Sequence, residues 1–540
     1  MHEPVSEPSP GFLAWLTSPL GALTAFGALV VARLLAGNFG YFYEGDEISI
    51  AGGVAALLNG DGGPLYRYGP QLGYYRLLQG IARLAGGIDG IHGVMVVVSA
   101  VAGAAIPASG LRAFRRQLEP STRVLIAAVL FANPALWVAS QYGNAATVST
   151  ALVVAAVTVL SNASAGSRLL LGLVLYSGGV LVRADAALVA PMIAVLVWQA
   201  TGSLKRAALV LAAAAAGGVA LYALLFALDP SLRGMFAQVT SHFEDDNQTL
   251  FFEHLVWAVS PLALAFAVLG LREGLSEHKR VVAPLLAGVL PLFLFYFPTT
   301  TTTRYFLQAV FPLGILVGLG MQGAVALAPR PRRNLAWSLV LALGFLHLVL
   351  GLGRFEARPF SARLRAPSYG THDSAMYTGA LLYQAYLQSG VFGRSLRGPG
   401  FGVGSELATE LGARLEPVSR GEGPGRVVLF FHDWNGHAVV YHLPQAGAHL
   451  TEGDLQGDIL KGLTYRLGRT DIRVLWFGPA TRQLPHPLPV GPGDEVWLLG
   501  PQAGFPQSDV LAALAPGLHL EPRSGEGAYL EIYTVNEEAR

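Results

Sequence analysis

The chain has 540 residues, 52% of them hydrophobic and 13% charged, with a formal net charge of +1. A soluble globular domain carries about 25% charged residues, so the missing charge points to lipid as part of the solvent, and a mean hydropathy of +0.46 agrees. Near-neutrality excludes an overall basic footprint for nucleic acid, and the lack of any cysteine excludes disulfides and thiolate metal sites.

The chain opens on MHEPVSEPSPGF, acidic and proline-rich without a basic run. The first apolar stretch is therefore expected to be a retained membrane helix rather than a cleaved signal. A spanning helix needs about 20 mostly apolar residues. Stretches near 20–35, 93–111, 124–138, 146–160, 169–181, 187–198, 207–228, 255–271, 281–297, 305–327 and 335–352 predict about eleven spans. Alternate short loops hold the basic residues: Arg112, Arg115, Arg116 and Arg123, then Arg168, then Lys205 and Arg206. Arg272, Lys279 and Arg280 continue the series, and Arg330, Arg332 and Arg333 end it. The positive-inside rule puts those loops and the N-terminus in the cytoplasm. An odd number of spans then leaves everything after about Arg354 outside. The expected plan is a polytopic α-helical membrane domain over 1–354 and an extracytoplasmic α/β domain over 355–540.

Two outer segments exceed what a connector needs, 38–92 and 229–254. In the first, EISIAGGVAALL and QLGYYRLLQGIARLAGG space apolar residues as amphipathic helices at the membrane surface would. Tyr41, Phe42, Tyr43, Tyr66, Tyr68, Tyr74 and Tyr75 suit an interfacial aromatic belt. Arg33, near the outer end of the first span, is expected to snorkel to the interface.

In the tail, RVVLFF, HAVVYHL, IRVLWF, EVWLLG and AYLEIYTV predict strands, with helices at SAMYTGALLYQAYLQ and SDVLAALA. GPGFGVGSE at 398–406 lacks the spacing of a dinucleotide-binding fingerprint. His432, Asp433, His437 and His442 lie on or beside expected strands without a zinc spacing.

The first chemical candidates are Asp46 and Glu47, adjacent carboxylates just outside the first span. They suit a general base and its electrostatic partner at the mouth of a membrane cavity. They equally suit a helix start, with Asp46 as N-cap and the acids favoured by the helix dipole. Glu244, Asp245 and Asp246 in the second outer loop could hold a divalent cation, or be a solvated run.

The order of an aromatic cluster, GDE, a helix and NGDGGPLYRYGPQLGYYRLLQGIARLAGG resembles the first outer loop of GT-C glycosyltransferases. The nearest branch comprises bacterial relatives of protein O-mannosyltransferases and of lipid A aminoarabinose transferase. GVLVRADAALVAP resembles that family's turn between its fifth and sixth spans, and TTTTTRYFLQAVFPLGILVG its RY…P helix. The resemblance implies inverting transfer of a sugar from a polyprenyl-phosphate donor to an envelope lipid, glycan or protein acceptor, on the outer face of the cytoplasmic membrane.

It further implies Asp46 as catalytic base, with Glu47 orienting the acceptor or helping bind a metal. Arg183, Arg304 and Tyr305 would hold the donor phosphate, and Tyr66, Tyr68 and Asp185 would contact substrate. The family often has proline and glutamate where this chain has Ala184 and Asp185, which loosens the match at that turn. Local chemistry offers alternatives there: Arg183 pairing with Asp185, and Arg304 snorkelling.

Two other functions fit a polytopic chain. A transporter or flippase would show repeats and ionisable residues near the bilayer midplane, whereas no repeat is evident here and the charges sit at span ends. A non-catalytic relative would use the tail to bind an envelope partner.

Overall fold

The computed structural model describes most of residues 10–228, 261–297, 303–332 and 335–339. In the C-terminal part it describes 405–432, 435–452, 463–477, 490–499, 518–523 and 530–537. The helices are α1 Pro10–Leu16, α2 Pro19–Leu35, α3 Gly45–Leu58, α4 Leu72–Leu84, α5 Ile91–Gly110, α6 Pro120–Phe131, α7 Pro134–Ala139, α8 Ala145–Leu160 and α9 Ser167–Val182. They continue as α10 Ala190–Thr201, α11 Leu204–Leu228, α12 Pro261–Glu277, α13 Lys279–Tyr296 and α14 Leu307–Leu327.

Among the described residues, five helical stretches are long and apolar enough to cross a membrane, and α2, α6, α8 and α9 are shorter apolar helices. The expected span at 335–352 lies mostly outside the described residues. The stretch expected at 124–138 is broken. Pro134 has no N–H to continue the ladder, and Asn133 caps the new helix by accepting from Leu136 N at 3.0 Å.

Hydrogen bonds mark two opposite ends of the bundle. At one end Arg112 donates to Thr17 O at 2.7 Å, Asn162 to Arg112 O at 2.9 Å, Arg123 to Leu111 O at 2.8 Å and Gln199 to Arg280 O at 3.0 Å. At the other, Ser149 donates to Gly179 O at 2.9 Å and Gln308 to Ser149 Oγ at 3.0 Å. Thr122 bonds Gln322, a Cβ on Gly323 would face Glu273 and one on Gly274 would meet Val282, so the turns that carry Arg112, Arg123, Arg272 and Arg280 gather at one end.

Helix α3 departs from expectation. Its polar residues stop at Ser49, and small and apolar residues follow on every face. A helix apolar all round is buried rather than laid on a surface. Ala51, Val54 and Ala55 are fully buried. Helix α4 keeps the expected two-faced character, with Tyr74, Tyr75 and Leu78 buried and Arg76, Leu77 and Leu84 exposed.

The C-terminal domain holds α15 Ser405–Ser419, α16 Asn435–Gln445 and strands β1 Arg426–His432, β2 His449–Glu452, β3 Leu463–Leu467, β4 Thr470–Phe477, β5 Glu495–Leu499, β6 Leu518–Pro522 and β7 Leu530–Glu537. The sheet runs β2-β3-β4-β1-β5-β7-β6, with β1 parallel to β4 and β5 and antiparallel pairs outside them. The α/β domain expected from the tail is present, and four of its five expected strands fall on strands. HAVVYHL is instead part of α16: it crosses from β1 and packs on α3. The two helical stretches expected at 374–388 and 508–515 lie outside the described residues.

The sheet domain docks on the bundle through α3. Asn59 donates to Pro444 O at 3.1 Å, Gln445 to Asp89 Oδ1 at 3.1 Å and Tyr441 to Ile88 O at 3.5 Å. The two cores interleave here, since Ala56 joins the sheet-domain core and Tyr441 the bundle core.

Candidate active site

Asp46 and Glu47 stand in the first turn of α3. The side chains of Asp46 and Arg304 lie outside the described residues, as do Tyr66, Tyr68, Glu244, Asp245 and Asp246. Glu47 is fully buried, and its Oε1 accepts from Gly143 N at 2.6 Å. His92 Nε2 lies 3.8 Å from the same oxygen. Gly143 is required by this approach, because a Cβ there would overlap Met95 and stand 3.2 Å from Glu47 Oε1. Burial pushes the phenol of Tyr74 well above its ordinary pKa, and the nearby Glu47 charge pushes it further. Tyr74 thus stays neutral beside the carboxylate.

The second half of the site comes from the turn after α9. The helix stops at Val182, Arg183 is extended, and Ala184–Val189 forms a 3-10 turn before Pro191 enters the first turn of α10. Gly73 of α4 seats against this turn, where a Cβ would come within 2.6 Å of Leu181 C. Arg183 Nε donates to Asp185 Oδ2 at 2.8 Å, and Tyr296 OH donates to the same oxygen at 2.6 Å. The ring of Tyr305 stacks on Tyr296 at 5.4 Å, and Arg183 Cζ sits 4.8 Å from the Tyr305 ring centre.

Three residues singled out from the sequence, Arg183, Asp185 and Tyr305, are thus brought together. The pairing of Arg183 with Asp185 is part of the arrangement, so an anion approaching Arg183 meets a guanidinium already partly neutralised. Tyr296 was not foreseen. As the last residue of α13, its only sequence signal was an aromatic at a span end, which is also what an interfacial belt looks like.

Arg33 does not snorkel as expected. It is fully buried, donates through Nη1 to Leu136 O at 3.0 Å and Ser140 Oγ at 2.7 Å, and sits 3.9 Å from the Trp137 ring centre. The end of α7 explains this: the helix stops at Ala139, so the Leu136 carbonyl lies in its last turn and offers the cation a local partner inside the protein. Among the described residues no group of three or more His, Asp or Glu could hold a metal ion.

An apolar groove runs between α6, α12 and α14, past Leu130, Phe266, Val310 and Gly314 to Met321. Asn133, at the α6–α7 break, is its polar end.

No protein-family model and no curated protein sequence matches the chain. Solved structures do. ArnT from Cupriavidus metallidurans bound to undecaprenyl phosphate aligns with a TM-score of 0.58 at 13% identity, over 97% of this chain and 99% of that one. The apo state of the same ArnT aligns with a TM-score of 0.56 at 12% identity, over 95% and 98%. This chain has the fold of ArnT along nearly its whole length, which agrees with the resemblance drawn from the sequence.

Proposed function

We propose that the protein is an inverting glycosyltransferase that moves a sugar from a polyprenyl-phosphate donor to an envelope acceptor. One observation carries this: the first turn of α3, the Arg183–Asp185 pair and the Tyr296–Tyr305 stack all gather at the bundle end opposite the basic loops. By the positive-inside rule that end faces outward, with the C-terminal domain above it.

In this reading the Asp46 carboxylate takes the proton of an acceptor hydroxyl as its oxygen attacks the anomeric carbon. The bond from that carbon to the phosphate oxygen breaks on the opposite face, which inverts the configuration. Arg183 and Arg304 stabilise the phosphate that departs, with a planar fork suited to its oxygens. Tyr305 backs Arg183 from its ring face. Glu47 holds the start of α3 through Gly143 and so sets where Asp46 stands. The apolar groove suits a polyprenyl tail, being lined almost wholly by hydrocarbon and ending in one amide. Tyr66, Tyr68 and Asp185 are assigned to substrate contacts, and the acidic run at 244–246 to a cation if the reaction uses one. The protein sits in the cytoplasmic membrane in this reading, with its N-terminus inside.

The test is purified protein in lipid nanodiscs, given undecaprenyl-phosphate-linked mannose, glucose and 4-amino-4-deoxyarabinose with an envelope extract as acceptor. Mass spectrometry follows the undecaprenyl phosphate released. Asp46→Asn is expected to fold and to lose about 100-fold or more in turnover. Full activity in that variant sinks the proposal. Uptake of labelled lipid by proteoliposomes, with no sugar transfer, replaces it with a flippase.

A further inference from the structure

Arg33 is a cation inside an apolar helix with no exposed surface, and no acidic group among the described residues pairs with it. Its Nε and Nη2 are buried without a hydrogen-bond partner among the described residues. Burying a charge so incompletely compensated is costly, and an ionisable residue kept within a membrane span points to function. Its contacts say which function. Both hydrogen bonds and the cation–π contact go to a single short stretch, Leu136, Trp137 and Ser140.

That stretch leads directly into a turn held by buried polar groups. Ser140 Oγ donates within the same stretch, with Leu136 O at 2.7 Å and Trp137 O at 2.9 Å. Thr147 donates to Ala139 O at 2.8 Å, Asn144 N to Ser99 Oγ at 3.0 Å, and Asn144 Oδ1 accepts from Ala146 N at 2.8 Å. Gly103 of α5 presses on Ser140 so closely that a Cβ there would overlap the serine side chain. Out of this turn comes the Gly143 amide that holds Glu47.

We propose that Arg33 is a positioning residue of the transfer site: it pins the 136–140 stretch, the 140–144 turn presents the Gly143 N–H to Glu47, and Glu47 fixes the first turn of α3 that carries Asp46. This rests on the transferase reading for its catalytic consequence, while the mechanical linkage stands apart from it. A misplacement of about 1 Å at a reacting group costs on the order of 100-fold in rate, so a remote cation can matter to turnover without touching substrate.

The test is amide hydrogen exchange on the full-length protein in nanodiscs, run beside the transfer assay. Arg33→Gln is expected to raise exchange about tenfold or more in peptides covering 140–144 and 45–50, with other helices unchanged. Turnover per folded protein should fall roughly 10- to 100-fold with donor KM within about twofold, and Arg33→Lys should recover part of it. A merely structural role would lower thermal stability and yield without that split. Should Arg33→Gln not fold, Ser140→Ala removes one link alone, and Gly143→Ala, which meets Met95, breaks the last link; both are expected to show the same exchange pattern. Unchanged exchange at 45–50 in Ser140→Ala and Gly143→Ala overturns the linkage. Raised exchange with undiminished turnover overturns the positioning role. An active Asp46→Asn variant removes the transferase reading alone and leaves the exchange result standing.

Discussion

Asp61 holds His449 across the junction of the two domains: Asp61 Oδ1 lies 3.0 Å from His449 Nδ1, while its Oδ2 accepts from Leu450 N at 3.1 Å. The carboxylate is nearly buried and its histidine partner more than half exposed. It closes the end of α3, so the helix that begins with the candidate base finishes in the grip of the sheet domain. Asp61→Ala is expected to cost about 1–2 kcal/mol of docking. Limited proteolysis should then release the C-terminal domain faster, without a change in the far-ultraviolet spectrum.

Acid should weaken the same junction. Burial lowers the pKa of His442 below its usual 6.5, against the opposing hydrogen bond that its ring donates to Gln445 Oε1. A histidine whose folded pKa is depressed takes its proton more readily when unfolded, so its contribution to stability is present above 6.5 and lost as pH falls through the folded pKa. Release of the domain by protease should accelerate as pH drops below 6.5, and less so in His442→Asn.

At the other half of the site, Asp185 competes with any phosphate for Arg183. Asp185→Asn keeps a hydrogen-bonding group beside Arg183 and Tyr296 but removes the negative charge. The proposed phosphate role for Arg183 therefore predicts undecaprenyl phosphate binding tightened about three- to tenfold in Asp185→Asn, and weakened about tenfold or more in Arg183→Gln. Thermophoresis in nanodiscs measures both.

Helices α12 and α14 meet through Gly270 and Gly320. A Cβ on Gly270 would overlap Leu316 O, and one on Gly320 would overlap Phe266 O. Small residues allow this backbone approach between membrane helices. Gly320→Leu is expected to cost at least about 1–3 kcal/mol by overpacking, read as a lower unfolding temperature and loss of monodispersity. Gly323→Ala is the control, since its Cβ would stand 3.6 Å from Glu273 and fit.

Much of the sheet domain was legible because β1, β4, β5 and β7 are short apolar runs bounded by turn residues. HAVVYHL was not, because its β-branched and aromatic residues favour a strand locally, while its packing on α3 decides for a helix. Arg183, Asp185 and Tyr305 were found through motifs and loop charge. Tyr296 and the inward turn of Arg33 escaped because their partners lie 111 and 107 residues away in the chain.

The sequence by itself determined that the chain lives in lipid and which loops share an end of the bundle. Each charge carries its own cost of entering hydrocarbon, so these properties can be read residue by residue. Only the tertiary structure decided what the charges do once in place. It turned α3 from an expected surface helix into one buried between two domains, set Glu47 on Gly143 and drew Arg33 inward. Those outcomes depend on which backbone amide or carbonyl is left without a partner at a turn, and that is fixed by how distant segments meet.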